Sequence, residues 1–330
     1  MIKHSNKQHD NKEQTNKYFN PRIDRAQAKA DSLTLDMPMV DASSGDVYLD
    51  YAKVAWLGSM LILGTVGSAL TISWSAVTLF IASTALTLLF GHSLGMHRRF
   101  IHRSYDCPKY LEYLFVHFGT LVGLAGPMGM LKTHDMRDWA QRQEHCHAYF
   151  AHDSHWLKDA YWQLFYSIRL KTPPKFEPEA VISNDRIYYW MERTWMLQQL
   201  PWAILFYAIG GVGWVCWGIA TRVSVSVLGH WLIGYFAHNE FEQTDQHRHW
   251  HVEGAAVQGH NIPFTALLTM GECWHNNHHA FPESANLGIE KGQLDPGWIT
   301  LLALQKIGLV KNLNTPSDLA PRDELVRRAI

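Results

Sequence analysis

The sequence predicts an all-α integral membrane protein in which four transmembrane helices form two hairpins capped by a cytoplasmic helical domain. Three observations predict it: two long stretches nearly free of charge, lysine and arginine that all lie outside them except Arg222, and histidines clustered at their ends. Charged residues make up 18 % of the chain, less than the roughly 25 % of a typical soluble domain. The formal net charge of −1 leaves no basic surface for nucleic acid.

The first hairpin is predicted from residues 55–90, which contain no Asp, Glu, Lys or Arg. One helix of that length would measure about 54 Å, whereas the hydrocarbon core of a bilayer is about 30 Å thick. We therefore expect two spans, at about 55–73 and 75–91, with a turn near Ser73–Ser75. A pair of buried hairpins in a soluble protein is the alternative, but such helices rarely lack charge for so long.

The second hairpin is predicted from residues 198–238, where Arg222 is the one charged residue. The run Gly210-Gly211-Val212-Gly213 divides this stretch into spans at about 198–215 and 218–238. Residues 110–131 are apolar but interrupted by Glu112, glycine and proline, which predicts an interfacial or re-entrant helix.

Lysine and arginine are absent from both turns between spans. The positive-inside rule therefore places both termini and the segments 92–197 and 239–310 in the cytoplasm. The polar composition of residues 1–45 predicts a disordered tail, and residues 311–330 read as a loosely ordered polar end. One membrane domain, residues 46–310, lies between them.

The histidines cluster where the predicted spans end, and they point to a metal site. His275, His278 and His279 have the i, i+3, i+4 spacing that puts three imidazoles on one face of a helix. His97 and His102 are about 140° apart on a straight α-helix, so either they face two metals or the helix ends between them. Imidazoles without a thiolate cluster suit Fe, Zn, Cu or Ni. Because the histidines exceed what one ion can bind, we predict a dinuclear site, for which redox-active iron gives a chemical purpose.

These motifs resemble those of the membrane fatty acid desaturases, specifically the acyl-CoA Δ9-type branch. The first histidine box of that family, H-x₄-H, is similar to His97-Arg-Arg-Phe-Ile-His102, and the third, H-x-x-H-H, is similar to Glu272-Cys-Trp-His275-Asn-Asn-His278-His279-Ala-Phe-Pro. The resemblance covers about residues 55–285. It implies a centre of two non-haem irons that uses O₂ and two electrons to remove two hydrogens from an acyl chain.

The second histidine box departs from the family pattern. Asp138-Trp139 resembles its lead-in, and counting onward puts the three ligand positions at Gln143, Cys146 and His147. A different set lies 11 and 7 residues apart and would share one face of a continuous helix: His134, His145 and His152. In a third interpretation, His134 and His152 only hydrogen-bond a loop. The family's Asn-x₃-His after the second hairpin reads Gly234 to His238, without the asparagine.

The resemblance implies a seven-histidine ligand set, with no catalytic residue beyond the ligands: His97, His102, His147, His238, His275, His278 and His279. Carboxylates that accept the other ring N–H of a ligand would orient it, and Glu272, Asp138 and Asp135 are the candidates. Trp139 is a candidate for the wall of the acyl-chain slot. Arg98, Arg99 and Arg103 would meet an anionic head group or a donor protein, or simply attract anionic lipid.

The substrate implied is a long acyl chain carried by CoA, an acyl-carrier protein or a lipid. The chain has no dinucleotide-binding, haem-attachment or iron–sulfur motif, so an external electron donor such as a ferredoxin or a b-type cytochrome is implied. Three alternatives remain. They are a hydroxylase of the same superfamily, a metal transporter, and a family member that keeps the fold but serves as a lipid- or metal-binding membrane protein.

Overall fold

The computed structural model describes Arg22, residues 40–239 and residues 247–328. The structure is mostly helical, with 59 % helix and few strands. Its elements, apart from short 3₁₀ turns, are β1 (Gly45–Leu49), α1 (Tyr51–Leu70), α2 (Trp74–Ile101), α3 (Lys109–Leu121), α4 (Pro127–Gln141), α5 (Ala148–Ala151), α6 (Trp156–Phe165), β2 (Tyr166–Leu170), α7 (Ala180–Ser183), α8 (Arg186–Arg193), α9 (Gln199–His238), β3 (Trp250–Val252), α10 (His275–Ala280), α11 (Pro296–Lys306) and β4 (Leu325–Arg327).

The uncharged stretch near the N-terminus forms α1 and α2, with the turn close to its predicted place. The Asp50 carboxylate caps α1 by accepting from the N–H groups of Ala52 and Lys53, and the Ser73 hydroxyl caps α2. Leu70 and Trp74, beside the turn, are 80 % and 86 % exposed. Large apolar side chains left this open at the end of an uncharged hairpin suit a lipid environment.

The second uncharged stretch forms α9, which is interrupted at Gly211 with φ +67° and ψ −160°. This backbone conformation is one that glycine adopts without strain, and it lies within the predicted glycine break. Among the described residues, three helices are long and apolar enough to cross a membrane, α1, α2 and α9, where the sequence predicted four shorter ones.

The C-terminal half of α2 is wound more widely than an α-helix. From Thr87 to Ile101 its hydrogen bonds run from residue i to i+5, and the N–H of His102 donates to the carbonyl of His97 at 3.0 Å. Helix α3 packs closely along this segment, since a Cβ on Gly91 would lie 2.3 Å from the Phe118 carbonyl carbon. Wide turns of this kind often occur at functional sites.

The predicted interfacial segment 110–131 is wrong as a single element. It is divided into α3 and the start of α4 by Gly123, which has φ +90°, and by the Gly126-Pro127 junction. Glu112 is buried within α3, where it pairs with Arg99 of α2 at 2.7 Å. This segment therefore consists of two helices, the first of which packs against α2.

Two small sheets connect segments near the ends of the described chain to the rest of the domain. β1 pairs antiparallel with β2, and β4 with β3. Most of the predicted disordered tail 1–45 lies outside the described residues, although Arg22 is buried and residues 40–45 lead into β1. The loosely ordered end predicted at 311–330 is instead tied down as far as it is described, because Arg322 is buried and donates to the carbonyls of His279 and Ala280.

Candidate metal centre

Four histidines from three distant helices converge at the C-terminal end of α2. Their ring nitrogens all lie within 4.8 Å of one another. This four-histidine group consists of His97 and His102 of α2 or its end, His134 of α4 and His278 of α10.

The wide winding of α2 explains why His97 and His102 belong to the same group. In an α-helix they would point in directions about 140° apart. With i to i+5 hydrogen bonding, residues five apart point in more similar directions than on an α-helix, and the two ring centroids are 4.8 Å apart. The pair therefore faces one site, and the second sequence alternative is confirmed, because the helix ends between the two histidines, at Ile101.

A second cluster, the three-histidine group, consists of His238 at the end of α9 with His275 and His279 of α10. Its three Nε2 atoms are 3.1, 3.2 and 3.1 Å apart. A point above the centre of this triangle of nitrogens lies about 2.1 Å from all three of them, and that distance is the length of a metal–imidazole bond. The three nitrogens are thus spaced as ligands of one ion.

The third box joins the two groups, because its histidines alternate between them. His275 and His279, one helical turn apart, enter the three-histidine group, whereas His278 enters the four-histidine group. The ring centroids of His275 and His278 are 5.5 Å apart. Two metal positions would therefore lie side by side.

The protonation of these imidazoles suits metal binding. The Nδ1 of His238 lies 2.9 Å from the Gly234 carbonyl and must carry its proton, so Nε2 presents a lone pair to the group. Burial lowers the pKa of His275 to about 3 and holds the pKa values of His278 and His279 well below their usual range. Neutral imidazoles of this kind are competent ligands.

Two of the three predicted outer carboxylates contact ligand candidates. Glu272 lies 2.5 Å from Nδ1 of His97, and Asp135 lies 3.3 Å from Nδ1 of His134. The third, Asp138, instead pairs with Arg142 at 3.0 Å.

The residues counted from Asp138-Trp139 as the second box lie outside both groups. His147 caps α5, where its Nδ1 accepts from the Tyr149 N–H at 3.1 Å. Gln143 donates to the Trp139 carbonyl, and His145 is exposed. Burial raises the pKa of the Cys146 thiol to about 12, so it is not a thiolate at neutral pH.

The alternative set is also divided, because the continuous helix it assumed ends at Gln141. Only His134 enters a group, and His152 stacks on His238 with ring centroids 5.6 Å apart and planes at 6°. Counting H-x-x-H-H from His134 would have found this register, with Arg137 and Asp138 in the second and third positions. The sequence analysis missed the pairing of His152 with Asp159, whose carboxylate lies 2.9 Å from Nδ1 of His152.

Trp139 and Arg98 have surroundings that differ from those predicted. Trp139 is 5 % exposed and packs in a hydrophobic core with Tyr149 and Leu170. Arg98 is fully buried and pairs with Asp295 at 2.9 Å, so it cannot meet a head group or a donor protein. Arg98 is next to His97 in the chain, and its buried ion pairs help to hold this part of α2 in place.

No family profile matches the chain. Individual proteins do, over most of its length. It is 30 % identical over 279 residues to an acyl-CoA 5-desaturase of Anemone leveillei, covering 83 % of this chain and 82 % of that protein. It is also 30 % identical over 273 residues to an sn-1 stearoyl-lipid 9-desaturase of Anabaena variabilis, covering 79 % of this chain and 94 % of that protein. An sn-2 palmitoyl-lipid 9-desaturase of Nostoc is 29 % identical over 256 residues, with 73 % and 82 % covered. The chain therefore belongs to the acyl-CoA and acyl-lipid desaturases, and it is an oxidoreductase that acts on fatty acyl chains.

Proposed function

We propose that the two histidine groups each hold one non-haem iron and that this pair is the active centre of the desaturase. The convergence of seven imidazoles from four segments of the chain carries the proposal. The proposed ligands are His97, His102, His134 and His278 for one iron, and His238, His275 and His279 for the other. His134 takes the place that the sequence gave to His147.

The bound irons would supply redox chemistry with O₂, which the protein side chains lack. The protein's own contribution is to orient the imidazole rings so that their Nε2 lone pairs face the metal positions. The Glu272 carboxylate, 2.5 Å from Nδ1 of His97, would accept the proton of that nitrogen, and Asp135, 3.3 Å from Nδ1 of His134, would do the same there, which would direct each Nε2 toward the centre. The Ser93 hydroxyl fixes Glu272 by donating to it at 2.6 Å.

We propose that the chain crosses the membrane four times, with α9 divided at Gly211, and that both termini and the metal centre face the cytoplasm. The lysine-free and arginine-free turns support this orientation. The exposed apolar surfaces of α1, α2 and α9 support their contact with lipid.

We propose a long acyl chain as the substrate, carried either by CoA or by a lipid, because both carriers occur in the names of its relatives. The acyl carbons nearest the centre would lose hydrogen, so the position of the double bond follows from how the chain is held. Electrons would come from a separate donor, a ferredoxin or a b-type cytochrome.

Iron analysis and lipid analysis together test the proposal. The full chain is expressed in a host that makes no unsaturated fatty acids, its lipids are analysed, and iron is measured on the purified protein. We expect an alkene in the lipids and about two irons per chain. An alcohol product would replace desaturation with hydroxylation, and a protein that never carries iron would refute the centre.

Single substitutions test whether the activity depends on the four-histidine group and on the three-histidine group. His278→Ala and His275→Ala remove a ligand from the four- and three-histidine groups, and each is expected to abolish product while the protein still inserts into membranes. His145→Ala is the matched control, because His145 is exposed and outside both groups. Loss of product in the control, or activity in either ligand variant, would contradict the assignment.

A further inference from the structure

Arg137 lies where the histidine pattern of this chain would put a ligand. In α10, the step of three residues from His275 to His278 leads from one histidine group to the other. The same step in α4 leads from His134, in the four-histidine group, to Arg137. The Arg137 guanidinium lies on the side of the three-histidine group, since its Nη1 is 2.6 Å from Nε2 of His152, whose ring stacks on His238.

The guanidinium is held there by neutral acceptors. Besides His152, it donates to Oε1 of Gln163 at 2.8 Å and to the Phe150 carbonyl at 3.3 Å. Within residues 40–239 and 247–328 no carboxylate forms an ion pair with Arg137. Asp159 is linked to it only through the His152 ring. A positive charge therefore lies against the His152 ring, which in turn stacks on His238 of the three-histidine group.

His152 cannot serve as a fourth ligand of that group in this arrangement. Its Nδ1 donates to Asp159, as the outer nitrogen of a metal-bound histidine commonly does, but its Nε2 lone pair is occupied by Arg137. The ring also fills the space beside Gly234, because a Cβ there would lie 3.1 Å from Nε2. Two of the departures from the family pattern, at positions 137 and 234, thus meet at one imidazole.

We propose that Arg137 makes the two metal positions unequal, so that the four-histidine group takes the first divalent ion and the three-histidine group binds the second more weakly. This inference rests on the proposed metal centre. A cation near a bound dication repels it, and the missing imidazole removes one bond. Changes in the surroundings of a metal site typically alter affinity on the order of 10- to 100-fold, and we expect a difference of that size between the two positions.

Cobalt titration of the metal-free full chain tests the inference. Binding of Co²⁺ is followed by its visible absorption and by metal analysis after equilibrium dialysis. We expect two steps of unequal affinity. Arg137→Gln removes the charge and frees Nε2 of His152, so the second step should tighten at least about tenfold while the first is unchanged. Arg137→Lys keeps a charge and should leave the second step weak.

Lys132→Gln is the matched control, since it removes an exposed cation from the same helix and should move neither step. The first step reports whether each variant is folded. Arg137→His offers an imidazole at the same position and carries the same expectation as Arg137→Gln. Two equal steps in the original chain would overturn the inference. So would a second step that tightens in neither Arg137→Gln nor Arg137→His. Failure to bind any Co²⁺ would instead overturn the metal centre.

Discussion

Replacing Glu272 by glutamine tests how the protein orients a proposed ligand. The carboxylate of Glu272 is buried between His97, 2.5 Å away, and Arg98, whose Nε lies 3.5 Å from it. Its charge stabilises the arrangement in which Nδ1 of His97 carries the proton and Nε2 presents its lone pair to the four-histidine group. The Ser93 hydroxyl completes the contact at 2.6 Å.

An amide of the same shape cannot satisfy all of these neighbours. If its oxygen faces His97, its NH₂ group is turned toward Ser93 and the Arg98 cation. If its NH₂ group faces His97, the imidazole must move its proton to Nε2, where it blocks the metal. Loss of a carboxylate behind a ligand histidine typically weakens metal binding by about 10- to 100-fold, or about 1.4 to 2.8 kcal/mol.

The assay is competition for Co²⁺ by a chelator of known affinity, with the metal-free full chain. We expect Glu272→Gln to weaken the first step by that amount. Glu290→Gln is the control, because Glu290 pairs with the exposed Arg327 at 2.9 Å and such pairs contribute about 1 kcal/mol or less. Equal affinities in the original chain and in Glu272→Gln would refute the reasoning.

Three further experiments have defined outcomes, two with substituted chains and one with the original chain. Gly91→Ala should destabilise the fold by about 3 kcal/mol or more, seen as a lower melting temperature in detergent, because its Cβ would lie 2.3 Å from a backbone carbon, whereas Gly229→Ala, with nothing within 4 Å, should not. Cys146, whose pKa burial raises to about 12, should react slowly with a maleimide at pH 8; rapid labelling, measured by mass spectrometry, would contradict its burial. Arg22→Ala leaves the buried Asp135 carboxylate without its 2.9 Å ion pair and should weaken the first Co²⁺ step about tenfold; an unchanged step would separate Arg22 from the site.

The long apolar helices were predictable because a bilayer imposes a rule that can be read along the sequence alone. A segment that crosses hydrocarbon must be apolar and long, and both properties are visible without any tertiary contact. The turn capped by Ser73 and the break at Gly211 fall at or within a few residues of the predicted positions. Burial of α3 against α2 was not predictable, since it depends on the close approach at Gly91.

The candidate site was predictable where ligands share one helix and not where they come from several. The spacing of His275, His278 and His279 already indicated their convergence. The sequence favoured His147 over His134, because the ligand positions of the second histidine box were counted onward from Asp138-Trp139. Only the contacts in the folded chain show that His134 lies beside His97 and His102.

The sequence by itself determined that the chain enters a membrane and carries clustered imidazoles, because hydropathy and helical spacing are local properties. The tertiary structure alone decided which imidazoles meet: the wide winding of α2 turns His102 toward His97, and α4 brings His134 beside them. It also decided that Arg137 contacts His152 instead of joining the centre. Ligand sets are assembled from distant segments, and the distance between segments is fixed only by packing.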